Sequence, residues 1–184
     1  MPARRVLVPL IVLVLAAALW WWPFGEDPVL DMPGDARACT ENLRNIHAGL
    51  MLYRTRNGGP PVGSGSDFLR ALLSAGVWAD TPVNRSRIHC PGSGRPYAAR
   101  DTSAYPLVRF PSGGAELEPL AACDGGDRLA HEGCMNVLYS DGSVQTLILA
   151  EEIERGRLAP DTTTIALGPD SPIPELQKLV TQRP

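Results

Sequence analysis

The chain has 184 residues, a net charge of −3 at neutral pH and 44% hydrophobic residues, with four Cys, 18 Gly and 18 Pro. That length allows one domain with a core large enough to fold alone, and the spread of aliphatics argues against a wholly disordered chain. A slightly acidic balance with no Lys/Arg cluster beyond a pair excludes general nucleic-acid binding, which needs a basic face to displace counterions.

Val6 to Trp22 carries no charge and no hydrogen-bonding side chain except its indoles. As a helix this run spans roughly 25 Å, close to the hydrocarbon thickness of a bilayer. Arg4 and Arg5 precede it, Glu26 and Asp27 follow it, and Trp20, Trp21 and Trp22 fall where such a helix would meet the headgroups. Residues 1–24 therefore read as a membrane anchor with the N-terminus cytoplasmic and the remainder exported. The rival is a cleaved signal peptide with Ala16-Ala17-Ala18 as its small-residue site. Residues 25–34, with Pro28 and Pro33, read as a linker, and residues 159–184, with five Pro, as a mobile tail. The folded unit is expected over residues 35–158.

Within it, Asp35 is a candidate N-cap, and Cys39, Leu43, Ile46, Leu50 and Tyr53 recur at helical spacing until Asn57-Gly58-Gly59-Pro60. A shorter helix is expected over Ser66–Ala75. Tyr105–Phe110 and Leu117–Cys123 read as strands. Met135–Ser140 and Ser143–Ile148 flank Asp141-Gly142, which predicts a hairpin closed by a type I′ turn. A closing helix is expected over Ala150–Arg157 and a short one over Pro174–Thr181. The expected class is α+β, with one amphipathic helix packed on a small antiparallel sheet behind a transmembrane helix.

These segments resemble the bacterial pilin-like and pseudopilin family, in particular the subgroup with the H-X9-DG domain associated with prepilin-type proteins. The stretch from Cys39 to Tyr53, ending in Asn57-Gly58, resembles that family's first helix. His89-Cys90-Pro91 resembles its Cys-Pro step, and His131 followed after nine residues by Asp141-Gly142 fits the motif itself. The resemblance implies a pilin-like head. The missing Gly junction, the absence of an acidic residue before Glu26 and the early prolines imply an ordinary anchor rather than a filament subunit. It further implies a non-enzymatic interaction protein at the outer face of a bacterial inner membrane, held to the lipid bilayer through Val6–Trp22. Protein partners are expected there, with a link to a type II secretion or pilus-type apparatus. A secreted binding module is the alternative.

Four Cys in an exported domain read as two disulfides, and the favoured pairings are Cys39–Cys90 and Cys123–Cys134. His131-x-x-Cys134 with His89-Cys90 offers zinc-type ligands, but there is no C-x2-C pair, so no metal is expected. The weak calcium candidate is Asp124-Gly-Gly-Asp127. A nucleophile built from Cys90 or Cys134 with His131 would need a free thiol and an oxyanion hole, and no phosphate loop or hydrolase motif is present. No catalytic residue, cofactor, nucleic acid or small-molecule substrate is therefore expected. His131, Asp141 and Gly142 are expected to act structurally, with a side-chain hydrogen bond fixing the loop beside the hairpin. His47 is expected to be a border residue of the first helix.

Overall fold

The computed structural model describes residues 34–108, 110–111 and 117–181. The chain divides into two units, Met1–Met32 and Pro33–Pro184, and every described residue belongs to the second.

Helix α1 (Gly34–Asn57) follows the expected periodicity: Ala36, Cys39, Leu43, Ile46 and Leu50 form its buried face. Asp35 sits in its first turn and Arg54 and Arg56 in its last, each complementing the helix dipole. Helix α2 (Ser66–Ser74) buries Phe68, Leu69 and Leu72, and a short α3 (Pro82–Ser86) is capped by the Thr81 side chain. Strands β1 (Ala98–Arg100), β2 (Pro119–Ala122), β3 (Cys134–Tyr139), β4 (Val144–Ile148) and β5 (Leu179–Val180) form one antiparallel sheet, ordered β4-β3-β2-β1-β5. Helix α4 (Leu149–Glu154) leaves β4 directly, and a 3-10 turn over Pro174–Lys178 leads into β5.

Strand β3 is buried along its whole length. Asn136 turns toward α1, where its Nδ2 donates to the Ala36 carbonyl at 3.0 Å. Tyr139, three residues on and thus on the opposite face, has its hydroxyl pushed up to about 12. Burial is the main cause, and the carboxylates of Glu175 and Glu152 outweigh Arg157. Both sheet faces are thus covered, one by α1 and the other from the C-terminal side of the chain.

The expected transmembrane helix, Val6–Trp22, lies outside the described residues. Among the described residues no helix is long and apolar enough to cross a membrane. Only α1 has the length, and it carries Arg37, Glu41, Arg44, Arg54 and Arg56. The fold is an α+β domain with a five-stranded antiparallel sheet, and single-pass anchoring in an inner membrane is not supported by it. Residues 159–181 are no mobile tail: Ile165, Ile173, Leu176 and Leu179 are buried, and Leu179–Val180 pairs with β1. Arg157 clasps this segment through Glu175 at 3.0 Å while also pairing with the fully buried Glu152.

Of the segment Tyr105–Phe110, the described residues 105–108 and 110 are bends and irregular backbone instead of a strand, and the first two carbonyls serve a buried side chain. Arg100 Nε donates to the Tyr105 carbonyl at 2.8 Å. The hairpin turn is not type I′ either. Gly142 has φ 88°, whereas no residue other than glycine has positive φ among those described. Gly142 N donates to the Tyr139 carbonyl at 3.0 Å and Tyr139 N to the Ser143 carbonyl at 2.9 Å. This is a three-residue loop with one left-handed position, the next commonest way to join two strands.

Candidate metal centre

Four positions of the chain deliver one side chain each to a single buried point. Cys39 comes from the second turn of α1 and is fully buried. Cys90 follows α3 at the start of a tight loop, in which Cys90 N donates to the Arg95 carbonyl at 2.8 Å and Gly94 N to the Cys90 carbonyl at 2.7 Å. Cys123 sits just beyond β2, where its amide donates to the Asn136 carbonyl at 3.0 Å. His131 lies in the loop between β2 and β3, bridged to Cys134 across the loop's end. The three sulfurs and a His131 ring nitrogen all lie within 4.8 Å of one another.

The distances decide what these atoms can be to each other. Cys39 Sγ and Cys123 Sγ stand 2.9 Å apart, well beyond the ~2.05 Å of a covalent disulfide. His131 Nε2 is 3.3 Å from Cys123 Sγ and 3.4 Å from Cys90 Sγ. A tetrahedral zinc with ordinary Zn–S and Zn–N bonds would place S and N ligands about 3.5 Å apart and two sulfurs about 3.8 Å apart. The sulfur–nitrogen edges already match; the Cys39–Cys123 edge would open by about 0.9 Å around an ion of that size. The donor set also fits by chemistry, since three thiolates and one imidazole form one of the common closed zinc sites.

Among themselves the four groups hold mixed protonation, with the Cys90 thiol ionised, Cys123 protonated and the imidazole charged, so an entering metal must displace protons from Cys123 and His131. Hydrogen bonds from Cys123 and Cys39 hold the Cys90 thiol far below its ordinary value against the cost of burial, with His131 and the Ser93 amide helping. For His131 burial opposes the charged ring, yet hydrogen bonds to Cys39 and Cys90 and the field of their sulfurs outweigh it and push the imidazole up to about 11. Burial, reinforced by Cys39 and Cys90, raises Cys123. The Tyr97 hydroxyl donates to Cys39 Sγ at 3.4 Å, and burial beside these sulfurs drives its own proton affinity up.

The second ring nitrogen of His131 faces outward from the sulfurs. Nδ1 is buried and without a hydrogen-bond partner, though Asp35 Oδ2 lies 3.3 Å away, within ion-pair range but poorly aligned. Gly92 closes over this pair. A Cβ there would come within 2.6 Å of His131 Nδ1, 2.7 Å of Asp35 Oδ2 and 2.3 Å of the Ala130 carbonyl, so only glycine fits.

The remaining candidates fall elsewhere. All four cysteines are free thiols, and Cys134, buried on β3, is not among the converging ligands. The favoured pairings Cys39–Cys90 and Cys123–Cys134 are therefore not formed, and Cys39 has Cys123 beside it instead. His89 points away, its Nδ1 2.9 Å from the Arg85 carbonyl. His131 and Asp141 do not meet: Asp141 Oδ1 accepts from Ser143 N and Ser143 Oγ within its own turn, at 2.9 and 2.6 Å. It is His47 that reaches the hairpin, with Nε2 3.2 Å from the Ser140 carbonyl and its ring against Gly142. Asp124 is engaged as well, accepting from Gly126 N at 2.8 Å and pairing with Arg95 at 3.4 Å, while Asp127 is exposed. A guanidinium beside Asp124 works against calcium at that loop.

The sequence reading considered His131 and Cys90 as ligands but paired them with Cys134 and His89. Cys39 and Cys123 escape a reading by motif because none of the four ligands forms a C-x2-C-type pair; even Cys123 and His131 are eight residues apart. No family model matches the chain, and no curated protein or solved structure is significantly similar to it.

Proposed function

We propose that this protein is a metal-binding domain in which Cys39, Cys90, Cys123 and His131 hold one thiophilic divalent cation of the zinc class. The observation that carries this reading is the convergence of four buried soft ligands, from four separate segments, within 4.8 Å. With four protein ligands, and no position left for water or substrate, the ion's role is structural. It would join α1, the loop after α3, the end of β2 and the loop before β3, so that ion binding and folding are one equilibrium. The domain then acts as a rigid, non-enzymatic scaffold for contact with other proteins. That wider role rests on the resemblance to H-X9-DG heads, supported here by α1 lying on an antiparallel sheet with Asp-Gly at the hairpin turn.

Elemental analysis and native intact mass of the purified full chain test the reading together. One equivalent of zinc per chain, retained through dialysis and lost from the Cys123→Ala variant, is the expected result. A metal-free protein whose mass is lower by about two units, with Cys39 and Cys123 joined in a disulfide, would overturn it.

A further inference from the structure

We infer that Asp35 is a positioning residue for the proposed metal: its carboxylate accepts a hydrogen bond from the Nδ1–H of His131 and so holds the tautomer that presents the Nε2 lone pair to the ion. This rests on the metal-binding reading above and adds an outer ligand shell to it. His131 Nδ1 is fully buried and has no hydrogen-bond partner, a state that costs free energy unless something on the same side compensates it. The acceptor within reach is Asp35 Oδ2, at 3.3 Å. The opposite nitrogen, Nε2, is the atom that faces the Cys90 and Cys123 sulfurs at 3.4 and 3.3 Å. A neutral imidazole that coordinates through Nε2 must carry its proton on Nδ1, so the ion and the carboxylate ask for the same tautomer.

The backbone around Asp35 is arranged for this contact. Its other oxygen, Oδ1, accepts from Ala36 N at 2.8 Å, which fixes the carboxylate at the start of α1 and leaves Oδ2 toward the ring. Cys39 lies one turn further along the same helix, so α1 supplies both a direct ligand and the group that orients another. Gly92, two residues after Cys90, leaves room for the pair: any side chain there would strike both His131 Nδ1 and Asp35 Oδ2. The Cys90 loop thus also provides a ligand and shapes its neighbour's surroundings. Asp35 is partly exposed at the edge of an open depression lined by Ser93, Arg128 and Ala130, while His131 is enclosed. A change at Asp35 should therefore act through the imidazole without opening the sulfur cluster.

The test compares the full chain with its Asp35→Ala and Asp35→Asn variants, using zinc in competition with a chromophoric chelator and cobalt as a spectroscopic probe. Asp35→Ala should weaken zinc binding by about 10- to 100-fold, the range found when outer-shell partners of ligating histidines are removed. Asp35→Asn keeps an acceptor oxygen and the contact to Ala36 N, so it should recover a good part of that loss. In the zinc-loaded protein the His131 Nδ1 proton should resonate downfield, and Asp35→Asn should move it upfield; a purely structural role at the helix start would not. Should the parent chain bind no zinc or cobalt, the metal-binding reading itself fails. Should the parent bind one equivalent while both variants match its affinity and its Nδ1 proton shift, metal binding stands and the role of Asp35 is overturned.

Discussion

Two of the buried polar centres among the described residues balance their charge in opposite ways. Around Arg100, which is 2% exposed, the protein supplies both signs: the guanidinium pairs with Glu118 and donates to the Tyr105 and Pro119 carbonyls. Glu118 accepts in turn from Lys178 at 3.0 Å. Around Cys39, Cys90, Cys123 and His131 the partners are chiefly one another, with the Tyr97 hydroxyl, the Ser93 amide and a single partly exposed carboxylate, Asp35, at the rim. Three ionisable sulfurs drawn together out of water repel once they are charged, and one imidazolium cannot neutralise them all. The first centre is complete as a piece of polypeptide, whereas the second is arranged to take its compensating charge from outside. The same burial therefore predicts opposite dependence on metal.

The sharpest way to break this comparison is to remove one sulfur from inside the cluster and one from outside it. Cys123→Ala should abolish tight zinc binding and lower stability by several kcal/mol, since structural-site binding energy is folding energy. Cys134→Ala removes a thiol that is also buried but lies off the cluster. It should keep one equivalent of zinc and cost about 1 kcal/mol for the lost packing. Metal content and chemical denaturation of the two variants decide the matter; equal losses in both would mean that the sulfurs serve packing alone.

At the other centre, Arg100→Met should destabilise by about 3 kcal/mol. It strips Glu118 of one partner and leaves the Tyr105 carbonyl without its donor. Zinc content should not change, because Arg100 contributes nothing to the cluster. A variant that lost zinc in proportion to its stability would show the two centres to be coupled, contrary to their separate partner sets.

The two centres also differed in how far the sequence disclosed them. Helix α1 was legible because Cys39, Leu43, Ile46 and Leu50 repeat at helical spacing, and the β3–β4 hairpin because Asp141-Gly142 divides two apolar runs. Both signals are local. The cluster joins residues 39, 90, 123 and 131, which no C-x2-C-type pair relates, and the same cysteine count read equally well as two disulfides. Strand β1 is three residues, Ala-Ala-Arg, with nothing β-branched to mark it. The C-terminal stretch was misread from its prolines: Pro174 merely opens a 3-10 turn, after which Leu179 and Val180 complete the sheet edge. Long-range pairing of this kind is set by what the rest of the sheet leaves open, and composition does not report it.

The gentlest test uses acid. Burial opposes ionisation of Glu118, yet hydrogen bonds from Lys178 and Arg100 outweigh it and hold the carboxyl below its ordinary value. A group depressed in the folded state adds stability that is fully present above its unfolded pKa and is lost as pH falls through the folded one. Glu118→Gln should therefore cost about 1 kcal/mol near neutrality, a modest figure because solvent screens this partly exposed site. The gap between variant and parent should begin to narrow as pH drops below about 4, the unfolded range, and close only once pH has fallen through the depressed folded pKa, where both carry a neutral side chain. Zinc release by protonated thiolates also weakens the protein in acid, but it affects parent and variant alike and cancels in their difference. A gap that stayed constant down to low pH would mean that Glu118 stabilises through shape, not charge. The Arg100 centre would then lose its claim to be electrostatically complete.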